Sequence, residues 1–367
     1  MQNQINQKQS ATHPLVGTWR ANVLECIQFG AIAITDTDGN LRGSVGDPQL
    51  VTYLRSSAKP FQVLPFVEAG GVEHFRLTQQ ELAILCASHD GTDRHVTVLQ
   101  SIQKKIGVSE SNLQCGVHPP YSKSTQRELI LRGEDPTPNR HNCSGKHTGM
   151  LAMSVMQGWP LDNYLDPGHP LQKLILKIIS EMTEVPVEEI ALGTDGCSAP
   201  VFAIPLLNAA VGFARLADPS GLSSKRAEAC GKITSAMMTN PEMIAGPGGF
   251  DTCLMQIGAG KILVKSGAEG FLALGLLPGA CGNGSRALGI AIKIMDGDMG
   301  GSFRPGADTN EGRARPIIAL EILRQLGAFS PAQLGNMAAF YSRPQSNWRG
   351  IEVGRFDPLF ELEIHRN

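Results

Sequence analysis

Apolar residues along the chain fall into runs with two different periods. Val23–Thr35 is a long, largely apolar stretch that reads as a strand. It runs into Asp36-Thr37-Asp38-Gly39-Asn40, where Asp-Gly supplies the positive φ angles of a hairpin turn, and Leu41–Val45 returns beside it. An antiparallel opening of this kind argues against a Rossmann-type start. The period then lengthens. Phe61–Ala69 reads as a helix stopped by Gly70-Gly71. Thr78-Gln79-Gln80-Glu81 is a capping box that opens a short apolar helix, Leu82–Ala87. Asp93–Ile106, Ser124–Arg132 and Met150–Gln157 follow as helices. In Pro170–Met182 the residues Leu171, Leu174, Ile175, Ile178, Ile179 and Met182 share one stripe. Val201–Leu216 and Ser224–Met238 read as helices, the second broken or thinned by Gly231. Lys261–Ser266, Gly270–Leu276 and Leu288–Met295 return to strand character, and Glu311–Leu326 and Pro331–Ala339 close the chain as helices.

Strands, a long helical middle and strands again predict an α+β fold, an antiparallel sheet with helices packed on it. The ends of the chain would complete one sheet. That gives a tail at residues 1–13, polar and disordered, and a single catalytic domain over 14–367 with a helical subdomain inserted. The 367 residues suffice for such a core, and 42% hydrophobic with 18% charged residues is an ordinary globular balance. A net charge of −2 offers no attraction to nucleic acid or to a membrane surface. No apolar run is long enough to span a bilayer. The Gln- and Asn-rich start lacks the layout of a signal peptide, which points to the cytoplasm and to eight reduced cysteines.

The first candidate chemistry is Arg55-Ser56-Ser57-Ala58-Lys59-Pro60. Residues three apart on a helix face each other, so Ser56 and Lys59 can meet. A serine hydroxyl needs a base. A lysine serves as one if burial or a second cation lowers its pKa. Pro60 suits a first helical turn, which places the motif at a loop-to-helix junction. Such a junction can hold an oxyanion on backbone N–H groups. Ser-x-x-Lys alone is common on surfaces. Here it is followed by Ser88-His89-Asp90 and then Lys265-Ser266-Gly267, in the order of the Ser-x-x-Lys, Ser-Asp-Asn and Lys-Thr-Gly elements of the penicillin-recognising serine enzymes.

A second dense stretch is Asn139-Arg140-His141-Asn142-Cys143-Ser144-Gly145-Lys146-His147, with Thr194-Asp195-Gly196-Cys197 on a later loop. Cys143, His147 and Cys197 could bind zinc. Cys143 paired with His147 could equally be a thiol nucleophile, oriented by Asp195. Buried cysteines that do neither are commoner than both. Asp251 reads as a cap after the glycine loop 246–249, His118 as structural, His74 and His365 as surface residues, and Arg20 with Glu25 as a strand-edge ion pair worth little.

Taken together, Arg55–Pro60, Cys86-Ala87-Ser88-His89, Asn142–His147, Thr194–Cys197 and Lys265-Ser266-Gly267-Ala268-Glu269-Gly270 resemble the rhizobial-type L-asparaginases, the asparaginase II family. The likeness runs from about Val23 to the end. It implies the fold of the serine β-lactamases and serine-dependent glutaminases, and hydrolysis of L-asparagine to L-aspartate and ammonia by a homodimer. Ser56 would be the nucleophile with Lys59 its base, and Ser88 with Lys265 a second Ser–Lys pair. Cys143, Lys146 and Cys197 would hold a Zn2+ ion, which requires a neutral lysine. Substrate-binding positions would be Arg55, His147, Asp195 and Gly267. A glutaminase or other small-amide hydrolase is the enzymatic alternative. A penicillin hydrolase fits the motifs but not the cytoplasmic expectation. A non-catalytic zinc-binding protein is the alternative of another class.

Overall fold

The structure, a computed structural model, describes residues 6, 8–298, 313–341 and 344–365. Twelve strands are present among them: β1 His13–Arg20, β2 Val23–Thr35, β3 Leu41–Val45, β4 Val51–Tyr53, β5 Ala191–Thr194, β6 Pro200–Pro205, β7 Ile262–Ser266, β8 Phe271–Leu276, β9 Leu288–Ile294, β10 Pro344–Ser346, β11 Glu352–Pro358 and β12 Glu363–Ile364. Nine form one antiparallel sheet in the order β10-β11-β1-β2-β9-β8-β7, with β3 on β2 and β12 on β3. Thus the first and last parts of the chain share a sheet, as the alternation of periods predicts. The other three strands make a small sheet, β4-β6-β5.

The β2–β3 turn forms where expected. Asp36 Oδ1 accepts from the backbone N–H groups of Asp38 and Asn40, each at 3.0 Å, and Gly39 takes φ +83°. At its far end β2 pairs with β9, whose neighbour β8 is buried along its whole length. Helix Leu206–Ala217 packs on β9 so closely that a Cβ on Gly289 would lie 1.8 Å from the Ala210 carbonyl oxygen. Only a glycine admits that approach.

Four sequence expectations change. Residues 200–205 are strand, not the start of a helix: the apolar run Val201–Ile204 ends at Pro205, and its backbone pairs with β4 and β5. Gly231 does not interrupt Ser224–Thr239, whose buried face, including Cys230, Ile233 and Met237, outweighs the local cost of one glycine. The helix expected from Met150 begins at Ser144, because packing overrides the weak propensity of its Ser- and Gly-rich first turn. The first strand starts at His13, and Ala11 is buried with its carbonyl accepting from Asp47 N–H at 2.8 Å. Residues 1–5 and 7 of the expected tail, and 311–312 of the helix expected from Glu311, lie outside the described residues. All eight cysteines are free thiols. Among the described residues no helix is long and apolar enough to cross a membrane.

Candidate active site

The segment holding Ser56 is clamped from two sides. Residues Arg55–Ala58 form a 3₁₀ turn that feeds the helix Lys59–Glu68, with Pro60 in its first turn. Leu54 N–H donates to Phe202 O on β6 at 3.0 Å. Ser57 Oγ donates to Lys265 O on β7 at 2.6 Å. Arg55 adopts φ +49°, unusual for a residue with a Cβ, and so turns the chain sharply just before Ser56.

Two further elements converge on this turn. The helix Gln79–Leu85, opened by the Thr78–Glu81 capping box, delivers Ala87 and Ser88 at its end. The helix Ser144–Gln157 begins beside it. A Cβ on Gly145 would lie 1.9 Å from Ile84 O, so glycine lets the two helices touch and brings Asn142 and Cys143 to Ser88. Finally β7 ends with Lys265 and Ser266.

The result is a chain of hydrogen bonds. Lys59 Nζ donates to Ala87 O at 2.5 Å and Asn142 O at 3.3 Å, and lies 2.9 Å from Ser88 Oγ. Lys265 Nζ lies 3.0 Å from the same Ser88 Oγ and donates to Ser266 O at 2.8 Å. One hydroxyl therefore bridges two amines, both of which are buried. Ser56, Ser88, Asp90, Asp251, Lys265 and Gly267 line one cavity of about 270 Å³. No hydrogen bond joins Ser56 Oγ to Lys59 Nζ in this structure; Ser56 lines the cavity together with Ser88 and Lys265.

Burial penalises an ammonium. It pushes Lys59 down from the ordinary lysine range, with the Lys146 charge adding to the effect against the pull of the Cys143 thiolate. Burial also lowers Lys265, to about 8; Asp251 opposes that fall and the Lys59 charge adds to it. Burial thus makes both amines give up a proton more readily than an exposed lysine does.

A second cluster lies next to the relay. Lys146 Nζ is 3.0 Å from Cys197 Sγ, and Cys197 Sγ is 3.8 Å from Asp195 Oδ2. A hydrogen bond from Cys197 holds the Cys143 thiol well below the usual range, helped by Lys59 and Lys146 against the effect of burial. The same bond, with burial, raises Cys197. Burial acts against the Lys146 ammonium, but Cys143, Cys197 and Asp195 together hold its pKa up. Among the described residues no group of three His, Cys, Asp or Glu side chains is arranged to hold a metal ion. The donor set here is of another kind, two thiols and an amine with a carboxylate behind them.

The positions singled out in the sequence divide accordingly. Ser56, Lys59, Ser88 and Lys265 come together, as do Cys143, Lys146 and Cys197. Gly267 lines the cavity, where a Cβ would meet Leu54 O at 2.9 Å. Arg55 and Asp195 form an ion pair at 2.9 Å next to the thiols. His147 reaches neither the cavity lining nor Cys143. It is buried, its Nδ1 lies 2.7 Å from the Tyr164 hydroxyl, and its Nε2 has no partner among the described residues. The Cys143–His147 thiol–imidazole pair therefore does not form.

The expected role of Asp251, a cap after the glycine loop, changes. The residue does not cap its own turn. Its carboxylate accepts from Ser266 N–H at 2.7 Å and Ser266 Oγ at 2.6 Å, and lies 4.0 Å from Lys265 Nζ. The available signal was a lone acid inside the apolar run Phe250–Ile257. Asp90 and Asn142, present in the singled-out segments without a role of their own, also line the cavity, as do Tyr121 and Arg315, which nothing in their local sequence marks.

Comparison with known proteins finds that the family model described as L-asparaginase II matches residues 16–358. No curated protein matches the chain. Among solved structures it is similar to a Bacillus glutaminase determined in 4.3 M NaCl, at 11% identity and a TM-score of 0.37, covering 82% of this chain and 92% of that one. A probable glutaminase from Bacillus subtilis complexed with 6-diazo-5-oxo-L-norleucine gives 11% identity and a TM-score of 0.36, covering 81% and 84%.

Proposed function

Because the chain belongs to the L-asparaginase II family, we propose that it hydrolyses the side-chain amide of L-asparagine to L-aspartate and ammonia, with Ser56 as nucleophile. The observation that carries the catalytic assignment is the Lys59–Ser88–Lys265 hydrogen-bond chain bordering the cavity that holds Ser56.

Neutral Lys59 takes the Ser56 proton as Oγ attacks the amide carbon. The oxyanion that forms is met by backbone N–H groups at the 3₁₀ turn, each such donor being worth about 2.7–4 kcal/mol in barrier. Protonated Lys265 donates through Ser88 to the amide nitrogen, the C–N bond breaks and ammonia leaves. The proton held on Lys59 then passes through Ser88 back to Lys265. Water, deprotonated by Lys59, cleaves the acyl-enzyme to give aspartate and restores Ser56. No histidine is required, since two neighbouring cations keep one amine neutral.

The thiol cluster suits the Zn2+ ion the family implies. Zinc favours thiolate and nitrogen donors, and Cys143, Cys197 and Lys146 supply two sulfurs and an amine around one point, with Asp195 at 3.8 Å from Cys197 to receive hydrogen bonds. Binding would require the Lys146 ammonium and the Cys197 thiol to give up their protons. When bound, such an ion supplies positive charge and rigidity beside the substrate pocket. Arg55, paired with Asp195, braces the same wall. Assembly as a homodimer belongs to this reading on the strength of the family alone.

The test is ammonia release from L-asparagine and L-glutamine, side by side, by wild type and Ser56→Ala. Release from asparagine that vanishes in the variant is the expected result. Faster release from glutamine moves the reading to a glutaminase, and full activity in Ser56→Ala removes Ser56 as the nucleophile. Metal analysis of the purified protein should find zinc, and Cys143→Ala should lose it.

A further inference from the structure

Asp251 is a carboxylate without an assigned task, placed where charge matters most. It is buried, it lines the cavity, and it belongs to the helix Phe250–Ile257, on a different element from every catalytic residue. Both of its oxygens are engaged by Ser266, one through the backbone N–H and one through the hydroxyl. That double contact fixes the rotamer of Asp251 and the end of β7 at once. The residue before Ser266 is Lys265, whose Nζ lies 4.0 Å from Asp251 Oδ2.

The two amines of the relay differ in this respect. Lys59 meets the Ala87 and Asn142 carbonyls, the Ser88 hydroxyl and the Cys143 sulfur, but no carboxylate. Lys265 alone has a buried carboxylate within ion-pair distance. An opposite charge at that range in a water-poor site favours the charged form strongly. We propose that Asp251 is a positioning residue of the reaction: it seats the Lys265–Ser266 strand end against the cavity and keeps Lys265 the charged member of the relay, ready to protonate the leaving nitrogen through Ser88. The proposal rests on the Ser–Lys reading above.

The groups facing Lys265 are Asp251 from its helix, Lys59 from the Ser56 side, Ser88 and Cys86 from the end of the Gln79–Leu85 helix, and Cys143 from the start of the Ser144–Gln157 helix. Cys86 is held neutral by burial, its thiol pushed up to about 12. Lys59 disfavours the Lys265 charge, while Asp251 and the Cys143 thiolate favour it. Deleting the Asp251 charge therefore makes Lys265 lose its proton at lower pH.

The experiment compares kcat/KM for asparagine against pH in wild type, Asp251→Asn and Ser266→Ala, with Ser56→Ala as the reference for the reading itself. Asp251→Asn should lose about 10²-fold in kcat/KM, the size of effect that misplacing a reacting group produces. Its basic limb should move down by about 1 pH unit or more, as expected for losing an opposite charge at 4–6 Å. Ser266→Ala, which removes one donor to the carboxylate but not its charge, should leave the limb where it is. A basic limb that stays put in an active Asp251→Asn enzyme overturns the proposal while leaving the Ser–Lys reading intact. Activity surviving in Ser56→Ala overturns the reading instead. Carbon-13 NMR of the lysine Cε in the wild-type protein, assigned with Lys265→Met, decides the matter even if Asp251→Asn does not fold. It should find Lys265 cationic at pH 7, and a neutral amine there overturns the proposal.

Discussion

Lys59 and Lys146 stand one shell apart in the same buried region, and their environments push them in opposite directions. Both lose hydration. At Lys59 burial prevails and the Lys146 charge adds to it, outweighing the opposing pull of Cys143, so its charged form is disfavoured. Lys146 is met by two thiols and a carboxylate, so its charge is retained. Burial alone does not determine whether a lysine acts as base or as cation; the partners enclosed with it do. The Lys59–Ser88–Lys265 chain holds an amine whose charge burial disfavours, whereas the thiol cluster holds one whose charge its partners retain.

The strongest way to break this contrast is to remove one atom from each side. Ser56→Ala should lower kcat by about 10⁴–10⁶-fold, the scale set by losing a nucleophile, with an unchanged melting curve. Cys143→Ala should retain measurable ammonia release, since its sulfur does not line the cavity. Complete loss in a folded Cys143→Ala protein would make the thiol cluster part of the chemistry.

Stability separates the lysines next. Lys146→Met strips the thiols of their counter-charge and should destabilise by about 3–5 kcal/mol, the usual cost of orphaning one side of a buried pair. Lys59→Met leaves no buried ion alone, only carbonyls short of a donor, and should cost less than about 2 kcal/mol while abolishing turnover. Denaturant titration of the two variants checks the order, and equal losses would erase the distinction.

Acid should strike both regions together, because buried imidazoles adjoin each. Burial holds His89, between the relay and Ser144, and His147, behind the thiols, well below the ordinary histidine range. It lowers His95 to about 4. In the unfolded chain these rings take up protons near pH 6.5, while the folded protein refuses them until much lower pH. The unfolded state then binds more protons, so stability falls as pH drops from about 6.5 towards 4. His95 alone should withdraw about 3 kcal/mol by pH 4, at about 1.36 kcal/mol per pKa unit. Stability that stays level across this window would refute the assignment of neutral buried rings.

The smallest effect expected is at Ser57. Ser57→Ala removes one buried hydrogen bond to Lys265 O and should cost about 1 kcal/mol. A melting temperature that does not move would mean that the clamp on the Ser56 turn lies elsewhere.

What the sequence determined by itself is local. The period of Val23–Thr35, the Asp-Gly turn, the Thr78–Glu81 capping box and the stripe on Pro170–Met182 each express a preference enclosed within a few residues, and each forms as expected. The α+β class follows from their order. The runs around Ser56, Ser88 and Lys265 stood out in the sequence through their order, and the structure brings the three residues to one cavity. Residues 200–205 were not legible, because an apolar run is ambiguous until a partner strand takes its backbone bonds. The place of the His147 ring was not legible either, because its helix turns it towards Tyr164, a residue 17 positions away. Asp251 reads as a local cap in the sequence because its contacts with Ser266 and Lys265 exist only across space. A carboxylate on one helix acquires meaning from Ser266 and Lys265 on a strand it does not adjoin in sequence. Proton affinity in a buried site is set by charges within a few ångströms, and only the tertiary structure decides which charges those are.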